Sequence, residues 1–168
     1  YIRHNHIITN GSGLDYGINY VNSVGDVIYN NTINTTSSVS YGIYLDNASG
    51  MNLSSNSIMT NGSIYTHGVY VYDSENNSFT NNQIDARGSF YNHGYVAINA
   101  TRVNITSNRI TVTNLGGVGI SLNTTSYHTI LNSSVIVNSS AQNYGILLTN
   151  ASHNNFTRVD IKTNQSNS

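Results

Sequence analysis

The sequence predicts an all-β chain wound as a parallel solenoid, and three observations predict it. Gly17, Gly42, Gly68, Gly94, Gly119 and Gly145 stand 25, 26, 26, 25 and 26 residues apart. A fixed period of that length marks a solenoid, propeller or array. Hydrophobic class repeats with the glycines although residue identity does not, and an asparagine recurs at one fixed place in the period. The stretch Tyr41 to Ile58, YGIYLDNASGMNLSSNSI, holds every part of the pattern.

The apolar positions define the strands. One residue after each glycine come Ile18, Ile43, Val69, Tyr95, Ile120 and Ile146, and two further on come Tyr20, Leu45, Val71, Ala97, Leu122 and Leu148. Eleven after the glycine stand Ile28, Leu53, Phe79, Ile105, Ile130 and Phe156. Sixteen after it stand Ile33, Ile58, Ile84, Ile110, Val135 and Ile161. Asn, Ser or Thr flank each column, which is the alternation of short half-buried strands and not a helical stripe. One repeat therefore carries about three short strands and cannot bury its own apolar face. Stacked at roughly 4.8 Å per coil, some six and a half coils share one core. Each inward aliphatic then contributes about 1.5–3 kcal/mol.

A second column supports the stack. Fourteen residues after the glycine come Asn31, Asn56, Asn82, Asn108 and then Ser133, with Asn5 in the preceding partial coil. Stacked carboxamides hydrogen-bond along the axis as side-chain ladders do in cross-β structures. Asparagine also tolerates the left-handed backbone of a tight corner. An asparagine ladder is expected here.

The elements YGIYLDN, NNSFTNNQI, YGILLTN and NNFT resemble the repeat of right-handed parallel β-helix proteins of the NosD-like and pectate-lyase-like type. The resemblance covers the whole chain and implies a right-handed coil. It implies no single activity, because the superfold hosts lyases, epimerases, adhesins and passive scaffolds.

Composition narrows the classes. The length suits one domain, residues 1–168, with no shift in composition to suggest a second. With no Cys there is no disulfide and no thiolate metal site, and with no Pro nothing interrupts ladder pairing. Charged residues make up 8% and the net charge is −1, so the basic stripe of a nucleic-acid surface is missing. No stretch is apolar enough to span a membrane, and no cofactor signature is present. Tyr1 to Ile7 matches the second half of a coil, and the chain ends short of the next expected glycine. The expectation is a segment of a longer solenoid, or a subunit joined end to end with like subunits or neighbouring coils.

The acids are Asp15, Asp26, Asp46, Asp73, Glu75, Asp85 and Asp160. A lyase on this scaffold would want several in register for a cation, beside a base. Asp46, Asp73 and Glu75 nearly stack, without an Arg or Lys in matching columns, and solvated corner carboxylates are the stronger reading. No catalytic or metal residue is assigned. His67 and His93 precede repeat glycines in a slot that Tyr16, Tyr41 and Tyr144 hold elsewhere, which favours packing over metal binding. Tyr44 and Tyr70 should stack on the outward face, where they suit a sugar ring, another subunit or simple cross-strand pairing. The segments Thr60–His67 and Ala86–His93 vary most between coils, and variable corners often gather on a binding face.

The strongest chemical signal is Asn-x-Ser/Thr. Fifteen such acceptors occur: Asn10, Asn30, Asn34, Asn47, Asn52, Asn61, Asn76, Asn99, Asn104, Asn123, Asn132, Asn138, Asn150, Asn155 and Asn164. Composition alone gives roughly seven. Asn47 with Asn52, Asn99 with Asn104, and Asn150 with Asn155 repeat every second coil, leaving bulky glycans room that every coil would not.

The reading that follows is a structural, N-glycosylated solenoid outside the cell, in a sheath, surface layer, filament or adhesin stalk. Its dense sequons point to an archaeal or eukaryotic exterior, and few charges with no Cys fit an archaeal surface protein better than a typical eukaryotic secreted one. The alternatives are a polysaccharide-active lyase, epimerase or hydrolase, and a carbohydrate-binding module using Tyr44 and Tyr70.

Overall fold

In a computed structural model, which describes residues 1–141 and 143–165 (for Asn114 and Gln165 the backbone alone), the chain winds through about six turns of parallel β-structure. Every strand pairs with residues 25 or 26 positions away along the chain. Ile28, Leu53, Phe79, Ile105, Ile130 and Phe156 lie in one unbroken register. Seven strands of two or three residues, from Ile2–Arg3 to Asn155–Thr157, make a narrow sheet around that column. The other eleven strands make the wide sheet. In two coils the expected separate strands fuse into runs of 15 and 16 residues, Thr32–Asp46 and Ser57–Tyr72.

The core follows the alternation. Ile28, Leu53, Phe79, Ile105 and Ile130 are buried, as are Ile33, Ile58, Ile84, Ile110 and Val135. Volume is balanced between coils: Phe79 packs edge-on against Tyr95 with ring centroids 5.3 Å apart, and the same stretch of core carries Ala86 and Ala97. A further inward column escaped the sequence reading, namely Thr35, Thr60, Ala86, Val112 and Val137, all buried. Its mixture of Thr, Ala and Val hid it.

The repeat glycines are required by close approach. A Cβ on Gly42 would collide with Cγ2 of Ile58 in the same coil and with the carbonyl oxygen of Gly68 in the next. The glycine thus lets the wide sheet press against the isoleucine column. Three left-handed corners per coil turn the chain, as at Asn47, Gly50 and Ser55 in one coil and Asn99, Arg102 and Ser107 in another.

The asparagine column lies directly behind one of these corners. The backbone N–H and the side-chain amide of Asn56 both donate to Asn82 Oδ1, at 2.9 and 3.0 Å. Asn82 repeats this toward Asn108 Oδ1 at 2.8 and 3.0 Å, and also donates to the Leu53 carbonyl at 2.9 Å. Asn5 and Asn31 begin the same chain of bonds, and at its far end the Asn108 N–H donates to Ser133 Oγ at 3.2 Å. Each member thus ties a corner to the coils on both sides.

Coil length varies at one corner only. Ile33 pairs with Ile58, 25 residues on, whereas Val39 pairs with Tyr65, 26 on. Likewise Thr113 pairs with Asn138 but Val118 with Tyr144. The extra residue enters just before the repeat glycine. Side chains close that corner locally: Asn92 Nδ2 donates to the Gly88 carbonyl at 2.6 Å and Asn143 Nδ2 to the Ser139 carbonyl at 2.8 Å.

Two outcomes test this architecture. Leu53→Asp or Ile105→Asp should abolish the cooperative unfolding transition, because a buried carboxylate has no partner there, while Thr80→Asp on the outward side should retain it. Asn82→Ala should cost several kcal/mol, since each buried partner left unpaired loses about 1–3 kcal/mol. Asn81→Ala, which strains only a left-handed corner, should cost about 1 kcal/mol. Equal urea midpoints for the two alanine variants would remove the ladder from the account of stability.

Candidate functional site

The wide sheet presents two adjacent outward columns beside the variable corner. The first runs Tyr16, Tyr41, His67, His93, Val118 and Tyr144, and the second Asn19, Tyr44, Tyr70, Val96, Ser121 and Leu147. In the first three coils the aromatic rings form a ridge. Tyr44 stacks on Tyr70 with centroids 5.4 Å apart and planes 9° from parallel. Tyr16 stacks on Tyr41 at 5.3 Å, and Tyr41 meets Tyr44 and Tyr70 edge-on at 5.5 and 5.4 Å. His67 lies against Tyr41, Tyr70 and His93, with its partner histidine at 4.9 Å.

In the later coils Val and Ser replace Tyr, and the ridge becomes a groove of about 370 Å³. Its walls are Phe90, Tyr91 and Leu115 from the variable corner and Tyr144 and Leu147 from the last full coil, with His93 and Val118 also lining it. Tyr65 stacks on Tyr91 at 5.3 Å and carries the corner wall back over the ridge. Tyr44, Tyr70, His67 and His93 are legible in the repeat, whereas this groove is not. The signal lay in the apolar pairs Ile64–Tyr65 and Phe90–Tyr91, at the same distance before their glycines.

Burial sets the electrostatics. His67 is buried although its column points outward, and desolvation followed by the charge of His93 pushes its pKa down to about 3. Desolvation takes His93 down to about 4. Tyr41 is pushed up to about 12 by burial and by Tyr70, Tyr16 and Tyr65, and Tyr44 to about 12 by burial and then Asp46. Tyr41, Tyr44, His67 and His93 are therefore uncharged at neutral pH.

The acids are dispersed. Asp46 aligns with Tyr72, not with Asp73, and Glu75 aligns with Ser49 and Thr101. The sequence reading found no basic residue beside this group, but Arg102 Nη1 lies 3.6 Å from Glu75 Oε2, both side chains more than half exposed. Asp85 pairs with Arg87 on its own strand. Among the described residues no three His, Cys, Asp or Glu side chains are placed to hold a metal ion, and no helix is long and apolar enough to cross a membrane.

The sequons and the core share out the asparagines. Thirteen of the fifteen acceptors are exposed, and Asn34 and Asn123 are half-buried; the Ser166 of the Asn164 sequon lies outside the described residues. The fully buried asparagines are Asn31, Asn56, Asn77, Asn82, Asn92 and Asn108, and none begins a sequon. Asn47, Asn99 and Asn150 each occupy the left-handed corner five residues after a repeat glycine. Asn47 Nδ2 donates to Asn22 Oδ1 at 2.7 Å.

The acceptors are also unevenly spread around the coil. The window from four residues before each glycine to two after it makes up a quarter of the chain, and not one of the fifteen falls in it. That window is the aromatic face. Asn19, Asn92 and Asn143 stand within it, all without the third sequon residue, and its sole charged residue is Asp15.

Stacked parallel coils with an internal asparagine ladder define a β-helix. The chain belongs to the family described as right handed beta helix region, whose model matches residues 1–101. No curated protein sequence matches it. Among solved structures it is similar to the periplasmic alginate epimerase AlgG, with a TM-score of 0.73 at 17% identity over 95% of this chain. The match spans 39% of the epimerase, so the chain corresponds to well under half its length. The A-module of the mannuronan C-5 epimerase AlgE4 of Azotobacter vinelandii aligns at 15% identity over 97% of this chain and 58% of that one, with a TM-score of only 0.31.

His67 and His93 give the face a pH signature. They are neutral in the folded chain and take up protons near their ordinary value of about 6.5 when unfolded. Their contribution is therefore complete above that pH and is lost as the pH falls toward about 4 for His93 and about 3 for His67. The urea midpoint should fall over that interval. His67→Tyr with His93→Tyr, which copies the residue at Tyr16, Tyr41 and Tyr144, should reduce the dependence to the part due to His128, a buried histidine outside the face whose pKa desolvation also lowers.

Proposed function

We propose that the chain is a structural, N-glycosylated solenoid segment exposed outside the cytoplasm, part of a sheath, surface layer, filament or adhesin stalk. The observation that carries this reading is the partition of asparagines between a ladder without sequons and a surface rich in them. With charged residues at 8%, the exterior needs another source of solvation. Covalent sugar on the corners and the narrow sheet supplies it. Asn47, Asn99 and Asn150 lie two coils apart in one column, about 10 Å, and the coils between carry Asp73 and Thr124 at that place. Likeness to a periplasmic protein supports an envelope or extracellular setting. Further coils or like subunits would add in the parallel register that joins coil to coil here.

A second reading, a polysaccharide-active enzyme, is favoured by the similarity to AlgG. It rests on shared fold. Asp15 lies within the aromatic face and Asp46 beside Tyr44, with no Lys or Arg in the face, whereas a polyuronate substrate would call for cations beside the binding face. Glycopeptide analysis of native material decides between the two. Sugar on Asn47, Asn99 and Asn150 is expected. Bare asparagines at all three, with turnover of an anionic polysaccharide, would put the enzyme first.

A further inference from the structure

The uncoated aromatic face has the shape of its own partner. Tyr ridges occupy the coils of Gly17, Gly42 and Gly68, and the groove occupies those of Gly94, Gly119 and Gly145. A two-fold axis lying in the plane of contact, parallel to the strands and level with the gap between the His67 and His93 rows, exchanges first coil with sixth, second with fifth and third with fourth. It therefore lays the ridge of one chain in the groove of the other, and the reverse. Tyr44 would fall opposite Val118 and Ser121, and Tyr70 opposite Val96. This is the self-complementarity that an isologous interface demands.

We propose that the sequon-free aromatic face is a homodimer interface, with two chains packed antiparallel, ridge into groove. Three observations select a second copy over other occupants. The walls are apolar and exposed, Phe90 at 50%, Leu115 at 38% and Tyr144 at 42%. A soluble chain leaves a contiguous apolar strip of this kind open only where something covers it. The face lacks Lys and Arg altogether, which disfavours an anionic polymer, and its groove offers few polar groups for the hydroxyls of a neutral one. Its size also fits. Six coils at about 4.8 Å and seven residues at about 3.3 Å give roughly 650 Å² per chain, and so a total near 1,300 Å², within the range of specific interfaces.

The interface stands on the geometry of the face and not on sugar at the sequons. It is therefore tested on unglycosylated chain, where its failure is separate from failure of the glycoprotein reading. Sedimentation equilibrium should give twice the 18.3 kDa of one chain, at concentrations up to tens of micromolar. Phe90→Glu with Leu115→Glu should halve the mass and leave the circular dichroism unchanged, because both side chains are exposed. Ser57→Glu, outside the face, should remain dimeric. Overturning results are a wild-type monomer throughout that range, or a dimer that survives the double substitution. A monomer whose tyrosine fluorescence responds to a neutral oligosaccharide such as cellohexaose would also overturn it, and would assign the face to a glycan.

Discussion

A rise of about 4.8 Å per coil places every side chain directly against its counterparts in the coils above and below, and that distance sorts the residue types. Carboxamides gain from it, since an Asn–Asn contact at 3.0 Å spans the gap with an N–H donor and a carbonyl acceptor. Aromatic rings gain as well, because the observed centroid separations of 4.9 to 5.5 Å lie within the range where rings attract. Like charges lose on the order of 1 kcal/mol per pair even in water. Glycans at that spacing collide. Consecutive coils therefore carry amide or aromatic columns, while charge is sparse and paired sequons alternate.

The parts of the fold legible in the sequence are those the rise makes repetitive. Ile28 to Phe156 and Ile33 to Ile161 read as columns because one hydrophobic class fits every coil. Asn31 to Asn108 reads as a ladder because only a carboxamide makes both bonds. What escaped is where neighbours in the same coil compensate for one another. The column through Thr35, Ala86 and Val112 varies in size as Phe79 and Tyr95 vary beside it. Asn77, His128 and Asn154 share a column with Met51 and Val103, yet the Asn77 and Asn154 carboxamides accept backbone N–H groups of the coil before, from Met51 and His128. No periodicity in residue type marks these positions.

The candidate site was legible only in half. Its Tyr and His columns follow the repeat, so their stacking could be anticipated. Their burial could not, because His67, Val96 and Val118 point outward from the sheet. His67 is covered by Tyr41, Tyr70 and His93 around it, and His93 and Val118 line a groove walled by Phe90, Tyr91 and Leu115 of a corner that does not repeat. The depressed histidine pKa values are a consequence of that burial.

The same corner absorbs every change between 25 and 26 residues per coil. Corners that hold the asparagine ladder have no such freedom, since one inserted residue would shift a buried carboxamide away from both its partners. Length variation is thus confined to the side of the coil where backbone bonds are already closed locally, by Asn92 to Gly88 and by Asn143 to Ser139. Larger side chains can gather there without cost to the ladder. The groove lies where they have done so, with Phe90, Tyr91 and Leu115 standing beside columns reduced to Val and Ser. A surface that can change while the core cannot is the part of a solenoid best able to acquire a partner. Keeping sugar off it has the same physical basis: Asn92 is buried and Asn143 half-buried in closing the corner, which leaves no room for a glycan on either carboxamide.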